Sequence, residues 1–288
     1  MRLSIQHVTR YSYTEVLTRA VQQLYLWPTD GPTQVQDEWT VRAPAVVQTS
    51  LDGLGNTTGH FTFDGHTQEL KLSASGIVNT VGLSEWVERQ PNPADGPADA
   101  PPGPAWVHPA FYLRSGALSQ IDARMTDWAR QALGAADGQP MPVSRAAVLT
   151  LTAAVSQKVA YRQGLTDVQT QALEAFDWGA GVCQDQAHTM LAMCRGLGWP
   201  ARYVSGYLYA PNQPELASHA WVDVCLDFDA SRGHATWLSV DITQACATTD
   251  QYVRLAIGTD YSTCAPSKGM RVGGGQESMS VDVTIEQV

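Results

Sequence analysis

The sequence predicts an α+β protein, a β-rich N-terminal domain over residues 1–89 joined by a linker at 90–104 to a mixed domain over 105–288. Three observations predict it. Short β-forming runs punctuated by Gly and Asp fill residues 3 to about 85, which at that spacing reads as a β-sandwich-like domain. Gln90 to Pro104 concentrates Pro, Ala, Gly and Asp, a composition that builds neither a helix interior nor a sheet ladder. Beyond it, apolar residues recur first at helical spacing and then in strand-like runs.

In the first domain the runs are Leu3 to Val8, Glu38 to Val41, His60 to Phe63 and Leu70 to Leu72. Asp30-Gly31, Asp52-Gly53, Gly55-Asn56 and Asp64-Gly65 read as the turns between them. His7, His60 and His66 read as packing or surface residues. Leu118 to Leu133 and Val143 to Val159 predict two helices, the second with Val148, Leu151, Val155 and Val159 on one stripe. A further buried helix starts at Cys183, because Cys183, Ala187, Met190, Leu191, Cys194 and Leu197 share a stripe that Gly196, Gly198 and Pro200 end. Arg202 to Tyr209, Ala220 to Leu226 and Thr236 to Val240 read as antiparallel strands. The last 35 or so residues read as additional strands of the second domain, with Gly273-Gly274-Gly275 as a turn.

With 44% hydrophobic and 16% charged residues, the 288-residue chain can bury substantial cores. A net charge of −10 argues against nucleic acid or an anionic membrane as partner, since both demand a cationic surface. No run of about 18 apolar residues is present, and Met1 to His7 lacks the apolar stretch of a signal peptide, so a cytoplasmic location is expected. The five cysteines (Cys183, Cys194, Cys225, Cys246, Cys264) are odd in number and include no Cys-x-x-Cys pair, which is no disulfide framework and no structural zinc site. No metal or other cofactor is expected.

Cys183 stands out among them. At a helix N-terminus, unpaired N–H groups favour a thiolate and could hold an oxyanion, while Gly179 and Gly181 allow a tight entry. Cys194 lies about 16 Å further along the same helix and belongs to the core. His188 is turned well away from Cys183 around the helix and reads as a hydrogen-bonded helix residue. His219 is the better base. It opens a strand in which His219, Trp221 and Asp223 share one face and Ala220, Val222 and Val224 the core face. An antiparallel register with Trp221 opposite Ser239 sets His219 opposite Asp241. In that arrangement Cys183 attacks a carbonyl, His219 carries the proton and Asp241 fixes the imidazole tautomer. Asp185, Asp223 and Asp229 are rival carboxylates, with Asp223 about 13 Å along the strand from His219 and expected to be nearly silent on substitution.

Gly181-Val-Cys-Gln-Asp185, Ala187-His188, Pro200-Ala-Arg-Tyr-Val-Ser-Gly-Tyr207, Ser218-His-Ala-Trp221, Trp237 and Asp241 occur in the order of the bacterial transglutaminase-like cysteine protease family, which the sequence resembles. Tyr11-Ser-Tyr13 to Leu24-Tyr-Leu-Trp-Pro28 is similar to the β domain that precedes this core in such proteins. The resemblance implies a papain-like α+β core, Cys183, His219 and Asp241 as catalytic triad, and a side-chain oxyanion donor, for which Tyr161 and Trp178 are candidates. This sequence has Gln186 where the family has an aromatic residue, and Asp241-Ile-Thr243 where it has Asp-Pro-Thr. A peptide or protein substrate is implied. Water as acyl acceptor gives hydrolysis and an amine gives transfer; a non-catalytic binding module on the same fold is the remaining alternative.

Overall fold

The computed structural model describes residues 1–90, 106–135, 141–213 and 217–288. The expected linker, Gln90 apart, therefore lies outside the described residues.

The chain opens with β1 (Arg2–Leu24), β2 (Gln34–Arg42), β3 (Gln48–Leu51) and β4 (Thr57–Thr80). The short runs foreseen in this region are pieces of longer strands: β1 and β4 pair antiparallel from Arg2↔Asn79 to Leu24↔Gly59. Side chains alternate as a half-buried strand requires, with Leu3 and Ile5 fully buried between exposed or half-buried neighbours. The Asp52 to Asn56 signal closes the β3–β4 hairpin, where the Asp52 carboxylate accepts the Leu54 and Asn56 N–H groups. Asp64-Gly65 does not make a turn. It lies inside β4, where the register with β1 shifts on either side of Leu17, so the glycine marks an irregularity and not a reversal.

The second region contributes β5 (Glu85–Arg89), a 3-10 turn at Pro109–Leu113, α1 (Ala123–Ala132) and α2 (Arg145–Lys158). It continues through β6 (Ala160–Tyr161), α3 (Ala172–Trp178), β7 (Ala180–Gly181), α4 (Cys183–Gly196) and β8 (Ala201–Leu208). Then come β9 (Ser218–Asp229), β10 (His234–Asp241), β11 (Cys246–Ala247), β12 (Tyr252–Gly258) and the one-turn α5 (Tyr261–Cys264). The second sheet runs β11-β10-β9-β8-β12, with β5 also on β10. Asp122 caps α1 by accepting the Arg124 and Met125 N–H groups, and Ser144 caps α2 by accepting that of Ala147. The sequence pattern did not reveal α3, whose seven residues are too few for a period. Its ends are marked all the same, by the Gln171 N–H on Glu174 and by Gly179 at φ 68°.

β13 (Ser267–Gly273) and β14 (Glu277–Gln287) are strands as foreseen, but they do not extend the second sheet. Both pair antiparallel with β1 and complete the first one. Gly273-Gly274-Gly275 is accordingly no reversing turn. All three glycines have positive φ, and they form an interruption opposite Thr14 to Val16 after which the chain continues along β1 in the same direction. The layer facing the first sheet comes from the edge of the second: Tyr207 of β8 and Val253 and Leu255 of β12 share a core with Leu3, Ile5, Leu24 and Val78.

The helix α4 is the axis of the second region. Every residue from Gln184 to Arg195 is buried, between Ala220, Val222 and Val224 on one side and α1, α2 and α3 on the other. Its polar side chains find partners, as burial demands. Arg195 is the clearest, donating five hydrogen bonds to Tyr112, Ser119, Ala201 and Thr259. These hold the C-terminal end of α4 in place.

Candidate active site

Cys183 is the first residue of α4 and is half-buried, following Val182 in extended conformation. Two devices hold this entry. The Asp185 carboxylate turns back to accept the Val182 N–H and the Thr166 hydroxyl, each at 2.7 Å. Burial pushes the Asp185 carboxyl above the usual carboxylate range, only partly offset by those bonds. Gly181 sits against it, since a Cβ there would lie 2.6 Å from the Asp185 Cβ. The short parallel pair β6–β7 sets Tyr161 beside Gly181, two residues before Cys183. Trp178, at the end of α3, is 59% exposed.

His219 and Asp241 come together at the adjoining strand ends. His219 Nε2 donates to Asp241 Oδ2 at 2.8 Å, and both side chains are fully buried. The strand register differs from the expected one by two residues: Ser239 faces Asp223 and Val240 faces Val222. A two-residue slip keeps every side chain on its face, so Asp241 still reaches His219, now as a diagonal neighbour. On its other side His219 faces Gly206 of β8, where a Cβ would meet the Trp221 ring at 2.5 Å.

Burial alone would drive the His219 imidazole toward its neutral form. The charge of Asp241 opposes this, as do the nearby Cys183 thiol and the hydrogen bond to Asp241, and together they raise its pKa to about 10, while His219 Nδ1 is buried with no hydrogen-bond partner among the described residues. His219 thus lies within the influence of both Asp241 and Cys183, and the rings of Trp221 and Tyr252 wall it. Burial pushes Cys194 up to about 12 and Cys225 up to about 11, and it raises Cys246 and Cys264 as well.

Two residues of the site carry no motif. Tyr252 of β12 donates its hydroxyl to Asp241 Oδ2 at 2.7 Å, and the Gln244 N–H reaches Oδ1 at 3.1 Å. Neither is legible without the fold, because Tyr252 stands eleven residues past Asp241 on a strand at the far edge of the sheet. The departure at Gln186 has a local explanation: its amide donates to the Val159 carbonyl and accepts the Thr243 hydroxyl at 2.6 Å, tying α4 to the segment after Asp241.

The rival carboxylates are otherwise engaged. Asp185 belongs to the α4 entry, and Asp229 bonds Ser231 and Arg232 at an exposed turn. Asp223 is wholly buried and takes Arg254 at 2.6 and 3.0 Å, Arg202 at 3.1 Å and the Ser239 hydroxyl at 2.7 Å. Burial opposes its charge, but the two guanidinium groups hold its pKa below the usual range. His188 is buried too, its Nε2 accepting the Tyr261 N–H at 3.2 Å. A cavity of about 740 Å³ lies away from Cys183, beside Arg202 and Arg254, and one of about 610 Å³ borders Tyr252 and Cys246. Among the described residues no three His, Cys, Asp or Glu side chains cluster as a metal site, and no helix is long and apolar enough to cross a membrane.

A cysteine opening a buried helix, set against a histidine–aspartate pair on an antiparallel sheet, defines a cysteine-type α+β protein. The family is equally plain: residues 130–242 match the transglutaminase-like superfamily and residues 3–79 the bacterial transglutaminase-like N-terminal region, and the chain belongs to this transglutaminase-like group. Its relatives include an uncharacterized protein of Mycobacterium leprae, 26% identical over 100% of this chain and 99% of that protein. An uncharacterized protein of Mycobacterium tuberculosis strain H37Rv is 27% identical over 100% of this chain and 92% of the relative. A crystal structure described as a "putative cysteine protease" from Cytophaga hutchinsonii superposes with a TM-score of 0.73 at 20% identity, covering 99% of this chain and 90% of the other. That likeness speaks to the fold.

Proposed function

We propose that this protein is a cysteine hydrolase of amide or peptide bonds, with a peptide or protein substrate and with Cys183, His219 and Asp241 as catalytic residues. One observation carries the reading: His219 is held between a buried carboxylate and the half-buried thiol that opens α4, and its proton affinity is raised by both.

The chemistry follows from the positions. Cys183 Sγ attacks the substrate carbonyl carbon, forming the C–S bond as its proton is held by His219. The carbonyl oxygen, now negative, lies at the α4 N-terminus, whose first N–H groups have no intrahelical acceptor. The N–H of Val182 is already committed to Asp185, so the first-turn N–H groups, those of Cys183 and Gln184 foremost, are the donors in this role. His219 returns the proton to the departing amine as the C–N bond breaks. Water then attacks the thioester, gives a proton to His219 and releases the acid and the thiol. Asp241 keeps the ring in the required tautomer. An amine in place of water gives transfer, so acyl transfer is the neighbouring outcome of the same intermediate.

A cytoplasmic setting belongs to this reading and is supported by all five cysteines being free. The acidic balance supports a surface with neither nucleic acid nor an anionic membrane as partner. Labelling with an electrophilic thiol probe, followed by a substrate screen with and without an amine acceptor, tests the reading. Label on Cys183, lost in Cys183→Ala together with turnover, is expected. Equal labelling of Cys183→Ala, or preferential labelling of Cys225, Cys246 or Cys264 in the folded protein, overturns it.

A further inference from the structure

Asp241 Oδ2 accepts two hydrogen bonds at once, from His219 Nε2 at 2.8 Å and from the Tyr252 hydroxyl at 2.7 Å, and Oδ1 accepts the Gln244 N–H. All three side chains of this chain of contacts are buried, and the Tyr252 ring packs edge-on against Trp221, 5.4 Å between centroids. Packing already fixes the ring, so a phenylalanine would fill the same space with no buried hydroxyl to satisfy. Its hydroxyl does something to the carboxylate that a phenylalanine would not.

We propose that Tyr252 is a positioning residue of the active site, which shares Asp241 Oδ2 with His219 and thereby limits how strongly the carboxylate holds the imidazolium. The inference rests on the function proposed above. A hydroxyl donating to an oxygen neutralises part of its charge, so less of that charge acts on the second donor. A general base must also give its proton back. If Asp241 held the imidazolium with its full charge, His219 would take the Cys183 proton readily but release it poorly to the leaving amine. Among the described residues, three further titratable or charged groups bear on this pair. Cys183 of α4 acts on His219, Cys246 of β11 lies 4.0 Å from the Tyr252 hydroxyl, and Arg254, two residues along β12, is turned to Asp223. The Tyr252 phenol itself stays protonated, because burial and then the Asp241 charge push its ionisation far up.

Tyr252→Phe, which keeps the ring, separates this role from a structural one. Expected are a kcat lower on the order of tenfold, the effect of losing one hydrogen bond to a charged group, with KM within about twofold. Cys183 alkylation by iodoacetamide at neutral pH should be as fast as in the parent protein or faster, and the alkaline limb of its pH dependence should not move down. Tyr252→Ala, which removes the ring as well, should lower alkylation and kcat together. If alkylation and kcat fall together in Tyr252→Phe, if neither changes, or if the alkaline limb moves down, the proposal is overturned. Where the parent Cys183 is no more reactive than the other four thiols, the proposed function itself fails. A reactive Cys183 with an unresponsive Tyr252→Phe sinks this proposal alone.

Discussion

At the residue scale, two aspartates on one sheet face carry different burdens. Asp241→Asn keeps the side-chain shape but presents an amide that cannot hold both donors on one charged oxygen. Turnover should fall by a factor on the order of 10³ to 10⁴ in molecules that keep the fold, as loss of tautomer control does elsewhere, and melting temperature should fall most at neutral pH and below, where the His219–Asp241 pair contributes in full. Asp223 shows where the sequence reading needs amendment. Distance from His219 made it look dispensable, and the structure makes it the shared counter-ion of Arg202 and Arg254. Asp223→Asn leaves Arg202, 2% exposed, short of a partner and should cost about 3–5 kcal/mol by denaturant titration. Labelling of Cys183 in the molecules that remain folded should persist. The pH dependence of stability follows from three histidines. His219 is raised from 6.5 to about 10, so its contribution is complete below about 6.5 and fades as pH climbs toward 10. Burial lowers His7 and His188 to about 4; the unfolded chain alone binds those protons, and stability fades as pH falls from 6.5 toward 4. Melting temperature should therefore peak near pH 6.5, and Asp241→Asn should flatten the alkaline side. The types and order of Cys183, His219 and Asp241 were legible in the sequence because their neighbours form motifs, whereas Tyr252 was not, because only the sheet brings it near.

At the scale of elements, periodicity revealed α4 and the strands but left the pairing open. A period of two places His219, Trp221 and Asp223 on one face whatever the register, and it cannot distinguish registers two residues apart. Here the β9–β10 ladder shifts between Thr236 and Trp237, an irregularity that no composition rule announces. Glycines disclose how close the elements come. Gly206 faces His219 across the β8–β9 ladder, and a methyl there would press on the Trp221 ring and on β12. Gly206→Ala should destabilise by about 1–3 kcal/mol, the usual cost of overpacking, and should also slow Cys183 labelling because Trp221 walls His219. A variant with lower melting temperature but parent-like labelling would separate the two effects and refute the link between β8 packing and the site.

At the scale of the whole molecule, the sequence read correctly as strands followed by helices and strands, yet it could not show that β13 and β14 return to β1. Pairing partners hundreds of residues apart leave no local trace, and a long edge strand looks the same whichever sheet it joins. One consequence is testable with a protease site inserted between Gln90 and Trp106. Because strands from both ends of the chain share one sheet, the cut halves should elute together in size exclusion and separate only in denaturant. Separation under native conditions would contradict the pairing. Chain order gives the same feature a meaning in time. On a ribosome adding roughly 5–20 residues per second, β1 emerges on the order of tens of seconds before β14 exists. Throughout translation, one long edge of the first sheet is left bare for pairing with other nascent strands. The sheet can close only after synthesis of Ser267 to Gln287, so early termination within that stretch should send the product to aggregation, even though every residue of the candidate site has already been made.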